Sequence, residues 1–182
     1  MNIGKRSILF GMLLIFLTGC INIPLGDGEL KVTRDGLTVT DEEGEEYNVD
    51  IGNDEGQFSI SSDEGEISLG ASVDIPADFP SDIPLADDAV VVSAVDMEEL
   101  VAVTYGSEID INTIDDMYKN YIESSAFENP YYENKSTDGY LLTNHGAERP
   151  DGTLIIGVQG NTETTEDSSA LVIIQLHKHV EE

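Results

Sequence analysis

Ile111-Asn112-Thr113-Ile114-Asp115-Asp116-Met117-Tyr118-Lys119-Asn120-Tyr121-Ile122 is the stretch that decides the fold, because its apolar residues recur with helical spacing among segments that alternate. Ile111, Ile114, Tyr118, Tyr121, Ile122 and Ser125 share one face at the 3.6-residue period, which predicts an amphipathic helix. Asn112 stands where an N-cap belongs, Asp115 and Asp116 fall in the first turn, and Asn129-Pro130 supplies the stop. Ahead of the helix, Val90, Val92 and Ala94 alternate with other residues, as do Val101, Val103 and Tyr105. Met97-Glu98-Glu99 lies between the two runs, so they read as a hairpin. Behind the helix the pattern predicts four strands over about 130–135, 140–145, 153–160 and 170–177. Asp138-Gly139 is a two-residue hairpin turn, Asp151-Gly152 makes a second turn, and 161–169 is a polar loop. The order ββαββββ over 89–178 gives an α+β domain, an antiparallel sheet with one helix across a face.

Upstream of this domain, residues 73–88 contain Asp74-Ile75-Pro76-Ala77-Asp78-Phe79-Pro80-Ser81-Asp82-Ile83-Pro84-Leu85. Proline every fourth residue forbids helix and predicts an extended, stiff connector near polyproline II. Phe79, Ile83 and Leu85 are too apolar for a free linker, so the connector should lie across the following domain. Its proline spacing is not the P-x-x-P form that docking modules bind. Phe-Pro-Ser-Asp-Ile-Pro-Leu resembles the F-P-x-D-(V/I)-P-(L/I) segment of uncharacterised bacterial secreted lipoproteins, in which an acidic, glycine-punctuated β segment precedes it and a compact α+β domain follows. The resemblance is firmest over about residues 60–125. It implies an envelope lipoprotein and transfers no catalytic residue.

Residues 29–72 match the first of those parts. Leu30 and Val32, Leu37 and Val39, Tyr47, Val49 and Ile51, Phe58 and Ile60, and Ile67 and Leu69 alternate with polar residues. Glu-Gly recurs at 43–44, 55–56 and 64–65, with glycine placed to supply the positive φ of a turn. The segment reads as an antiparallel meander or a small β-solenoid. Either has a single apolar side, which must roll up, pack on the next domain or cover a partner.

The chain begins with Lys5 and Arg6, the apolar run 8–17, and Leu17-Thr18-Gly19-Cys20. This is a basic n-region, an h-region and a small-residue cleavage site. The apolar run is too short to span a bilayer, which needs ~20 residues. The tetrapeptide resembles the bacterial lipobox, which implies a cleaved signal peptide over 1–19 and a diacylglycerol thioether, with palmitate-type chains, on Cys20. Residues 20–28 then form a lipid-anchored spacer, and 179–182 a tail. Cys20 is the single cysteine, so the mature domain holds no disulfide and no reactive thiol.

Loss of residues 1–19 leaves 163 residues in which six Lys and Arg face 37 Asp and Glu, a formal charge of −31. That balance excludes nucleic acid and disfavours an anionic lipid surface. It fits a solvated anti-aggregation surface, adaptation to salt, or weak binding of divalent cations. No acidic turn has the register of a calcium loop.

Chemistry-bearing patterns are sparse. His145, His177 and His179 are the histidines, and no cysteine or spaced carboxylate completes a metal set around them. There is no serine elbow and no glycine-rich phosphate loop followed by Lys. Tyr131, Tyr132 and Tyr140 suit cross-strand packing, with a groove for a peptide or glycan as the alternative. The sequence therefore predicts a protein lipid-anchored through Cys20 on the extracytoplasmic face of the cell membrane. It predicts no catalytic residue, cofactor or metal ligand, and a non-enzymatic binding or interaction module for an envelope protein or small ligand. The alternatives are a module ordered by Ca²⁺ and an envelope hydrolase using a carboxylate pair.

Overall fold

The alternating stretches fold as strands. In this computed structural model the described residues are 21–25, 28–32, 36–40, 44–51, 56–162 and 170–179. Among them lie twelve strands and one helix: β1 (Ile21–Leu25), β2 (Gly28–Val32), β3 (Gly36–Thr40), β4 (Glu46–Ile51), β5 (Phe58–Ser62), β6 (Gly65–Leu69), β7 (Val90–Met97), β8 (Leu100–Ser107), α1 (Ile111–Ser124), β9 (Glu128–Asn134), β10 (Tyr140–Arg149), β11 (Gly152–Asn161) and β12 (Ala170–Lys178). All pair antiparallel in one sheet of order β1-β2-β3-β4-β5-β6-β7-β8-β12-β11-β10-β9. The chain walks strand by strand from β1 to β8. It crosses through α1 to the far edge at β9 and walks back until β12 pairs with β8.

The α+β class stands, but the element order is not that of a self-contained ββαββββ unit. The acidic segment is a meander, not a solenoid, and it continues the second sheet edge to edge through β6 and β7. The stretch read as a spacer contains β1. At the β6–β7 seam, Gly65 has φ +141°, and a Cβ there would sit 2.1 Å from the Asp96 carbonyl oxygen. Gly65→Val should therefore cost about 2–3 kcal/mol in backbone strain and lost pairing. Hydrogen exchange should show β5 and β6 opening faster while β10–β12 keep their protection.

The core lies between β8, β12, β11 and β10 on one side and α1 with the connector on the other; α1 packs against β10 and β11 and meets β8 through Tyr118 and Tyr105. Val101, Val103, Tyr105, Ile114, Tyr118, Leu154, Ile156, Val158, Val172 and Ile174 are all fully buried. Ile111, Ile114, Tyr118 and Ile122 form the buried face of the helix, as its spacing predicts. Its ends differ from expectation. Asp110, not Asn112, is the N-cap, its carboxylate accepting from the Asn112 and Thr113 amides. Asp115 and Asp116 consequently fall in the second turn. The helix stops at Ser125, whose amide and hydroxyl both reach the Tyr121 carbonyl, several residues before Asn129-Pro130.

The proline connector lies on the same side of the sheet as α1, but it is not polyproline II. Phe79 N donates to Pro76 O, Ile83 N to Pro80 O and Ala89 N to Ala86 O, so it is a chain of turns. The first two are successive Pro-x-Asp-apolar units. Each turn points its fourth residue inward, and Phe79 and Ile83 are buried. Burial of those side chains outweighs the extended preference of the prolines.

Candidate functional site

Successive strand residues point to opposite sides of a sheet. On the α1 side, β4–β7 present Asn48, Asp50, Ser59, Ser61, Glu66, Ser68 and Asp96. On the other side a register row crosses the sheet as Leu37, Val49, Ile60, Ile67, Val95, Ala102, Gln175, Ile155, Gly146 and Tyr131. A parallel row runs Phe58, Leu69, Ser93, Thr104, Ile173, Gly157, Asn144 and Glu133. The apolar side of the meander thus faces away from the helix. Leu37, Val49, Phe58, Ile60, Ile67 and Val95 are all half-buried, and Leu69 is exposed. None belongs to the core cluster, and no described element covers them. This open face is the candidate site.

Its charge distribution is as distinctive as its apolarity. Among the described residues of β3 to β8, β12 and β11, no Asp, Glu, Lys or Arg occupies this side of the sheet; Glu148 and Glu133 enter it only on β10 and β9. The carboxylates stand at its border. Turns carrying Asp63-Glu64 and Glu98-Glu99 sit side by side, joined by a hydrogen bond from Glu98 N to Glu64 O. Lys178 N reaches Glu99 O, and His179 N reaches the carbonyl of Asp151 in the next turn. One end of the face is therefore edged by acidic turns.

The α1 side holds a cleft of about 370 Å³ between the meander and the start of the connector. Asp50, Glu66, Asp74 and Asp96 line it together with Ser59, Ser68, Val73 and Ile75. Beyond it, two cations clamp the connector. Arg149, whose side chain is 7% exposed, forks onto Asp82 (2.8 and 3.1 Å) and Asp151 (2.8 and 2.9 Å). It also donates to the Tyr121 hydroxyl at 2.7 Å and lies over Phe127. Lys178 pairs with Asp78 at 3.3 Å. Hydrogen bonds from Arg149 hold the Asp82 and Asp151 carboxyls below their ordinary values. The sequence signal for this clamp was the scarcity of cations: two of the six Lys and Arg beyond residue 19 meet the aspartates of the Pro-x-Asp-apolar turns.

The histidines do not converge. His145 is buried and bonds Asp115 at 2.7 Å, while Asp115 also accepts from buried Thr143. Burial opposes ionisation of Asp115, but these two bonds win and lower its pKa. The trio ties α1 to β10, and neither Thr143 nor His145 reaches solvent. His177 and His179 are exposed at the end of β12. Among the described residues, no three His, Cys, Asp or Glu side chains gather to hold a metal.

Nor do the tyrosines form one groove. Tyr131 and Tyr132 point to opposite sides of β9, Tyr131 across Gly146 on the open face and Tyr132 against the His145 ring at 4.9 Å. Cross-strand packing accounts for both. Cys20 lies outside the described residues, as do 1–19, and no described helix is long and apolar enough to cross a membrane. No protein-family model, curated protein or solved structure matches the chain.

Proposed function

We propose that this chain is a lipid-anchored lipoprotein of the extracytoplasmic membrane face and that it works as a non-enzymatic interaction module. It belongs by its motifs with the secreted lipoproteins it resembles, attached to the membrane through acylated Cys20. In this reading residues 89–178 carry the helix-covered core, and the meander extends their sheet to present a second face. The observation carrying the reading is the unbroken apolar row from Leu37 to Ala102 on the side without a helix. A sheet face left solvated is ordinarily polar, and a contiguous apolar strip left half-covered, here Leu37 to Val95 with exposed Leu69 beside it, fits an interaction site.

Two experiments test this. Cys20→Ser should move the protein from the membrane fraction to the soluble one, since the anchor rests on two acyl chains at ~0.8 kcal/mol per buried methylene. Full retention on membranes contradicts the anchoring. A photo-crosslinking residue at position 60 in intact cells should form protein adducts, and one at position 61, on the other side of β5, should not. Absence of adducts from position 60 contradicts the interaction role.

A further inference from the structure

We infer that the occupant of the open face is a cationic amphipathic partner, a peptide or protein segment with one apolar stripe flanked by Lys and Arg. The inference rests on the reading of this face as a contact surface and names what it contacts. The row from Leu37 to Ala102 crosses six strands. At ~4.8 Å per strand it runs about 24 Å, the length of roughly 16 helical residues. Its surface carries no charge, so an apolar stripe can seat on it without burying an ion. The acidic turns 63–64 and 98–99 lie along one long side of the row and meet whatever flanks that stripe, and attraction requires cations there.

The same charges weigh against the other occupants. A second copy would bring its own acidic border and a charge of −31 against this one. A bilayer with anionic headgroups is repelled by the net charge of the chain, and the chain has no Trp with which to sit at a lipid interface. A cationic amphipathic segment alone satisfies both the face and its border.

The test is calorimetric titration of the mature chain carrying Cys20→Ser, so that no acyl chain competes for apolar surface. The probe is an 18-residue Leu/Lys peptide designed as an amphipathic helix, set against a scrambled peptide of the same composition. The amphipathic peptide should bind at least tenfold tighter than the scrambled one, and its affinity should fall as salt rises. Ile60→Asn and, separately, Val49→Ser should each remove most of that preference, while Ser61→Asn on the other side leaves it intact. Equal binding of the two peptides means bulk charge attraction only and overturns the inference, whichever variants fold. Self-association of the unliganded chain in sedimentation equilibrium, abolished by Ile60→Asn, overturns it in favour of a second copy. In both cases the contact role of the face is judged separately, by the adducts from position 60 in cells.

Discussion

Tyr118→Ala should destabilise the fold by about 4 kcal/mol, the range for emptying an aromatic side chain from a core. Tyr118 is fully buried on α1 and meets Tyr105 of β8, with 2.7 Å between the hydroxyls. Each hydroxyl has one proton, and the acceptors fix its direction. Ala86 N donates to the Tyr105 oxygen, Tyr105 to Tyr118, and Tyr118 to the Pro84 carbonyl at 2.9 Å. Burial raises the pKa of both phenols, so the relay stays neutral and intact at ordinary pH. It ties helix, sheet and connector at one point. Tyr118→Phe keeps the volume and breaks only the relay, so it should cost about 1–2 kcal/mol. Denaturant melts of the two variants separate packing from hydrogen bonding. Against a typical domain stability of about 5–15 kcal/mol, the alanine variant should melt far below the wild type.

Arg149→Met should cost about 2–3 kcal/mol, less than a fully buried ion pair because both carboxylate partners are half exposed to solvent. Methionine keeps the contact with Phe127 but cannot fork, and it leaves Asp82 and Asp151 facing each other across the connector. Arg149→Lys should rescue little, since an ammonium cannot reproduce two bidentate contacts. The effect should depend on pH. Asp82 and Asp151 titrate lower in the folded chain than unfolded, so the clamp's contribution is complete above their unfolded value of about 3.9. It is lost as pH falls through the lowered folded values. The difference in melting temperature between wild type and Arg149→Met should therefore be steady from pH 7 to about 5 and shrink below about pH 4. Relief of repulsion among the 37 acidic residues acts on both proteins alike and cancels in that difference.

What the sequence disclosed is what local periodicity records. Alternation around Val101, Ile155 and Ile173 marked strands, and the spacing of Ile111, Ile114, Tyr118 and Ile122 marked the buried helix face. Period two says that the meander has an apolar side, but not on which side of the whole sheet it falls. That depends on the register between β6 and β7, where Ile67 stands opposite Val95 and not opposite Ala94. The connector misled because the proline rule acts on one residue at a time, whereas Phe79 and Ile83 answer to the core. Insertion of β12 between β8 and β11 is a long-range pairing with no local mark. The cap falls at Asp110 and not at Asn112 because either side chain can accept from early helix amides, and the position of Ile111 against the core decides which one does.

The claim at the centre is that one side of the sheet is bare in the isolated chain and covered in place. With Cys20 acylated as proposed, an Ile60→Cys variant carries a single free thiol on that side, and Ser61→Cys carries one on the other. Maleimide labelling of the purified protein should be fast at position 60, and in intact cells it should slow at least tenfold there and remain unchanged at position 61. Equal labelling rates at position 60 in the purified protein and in cells would contradict the account.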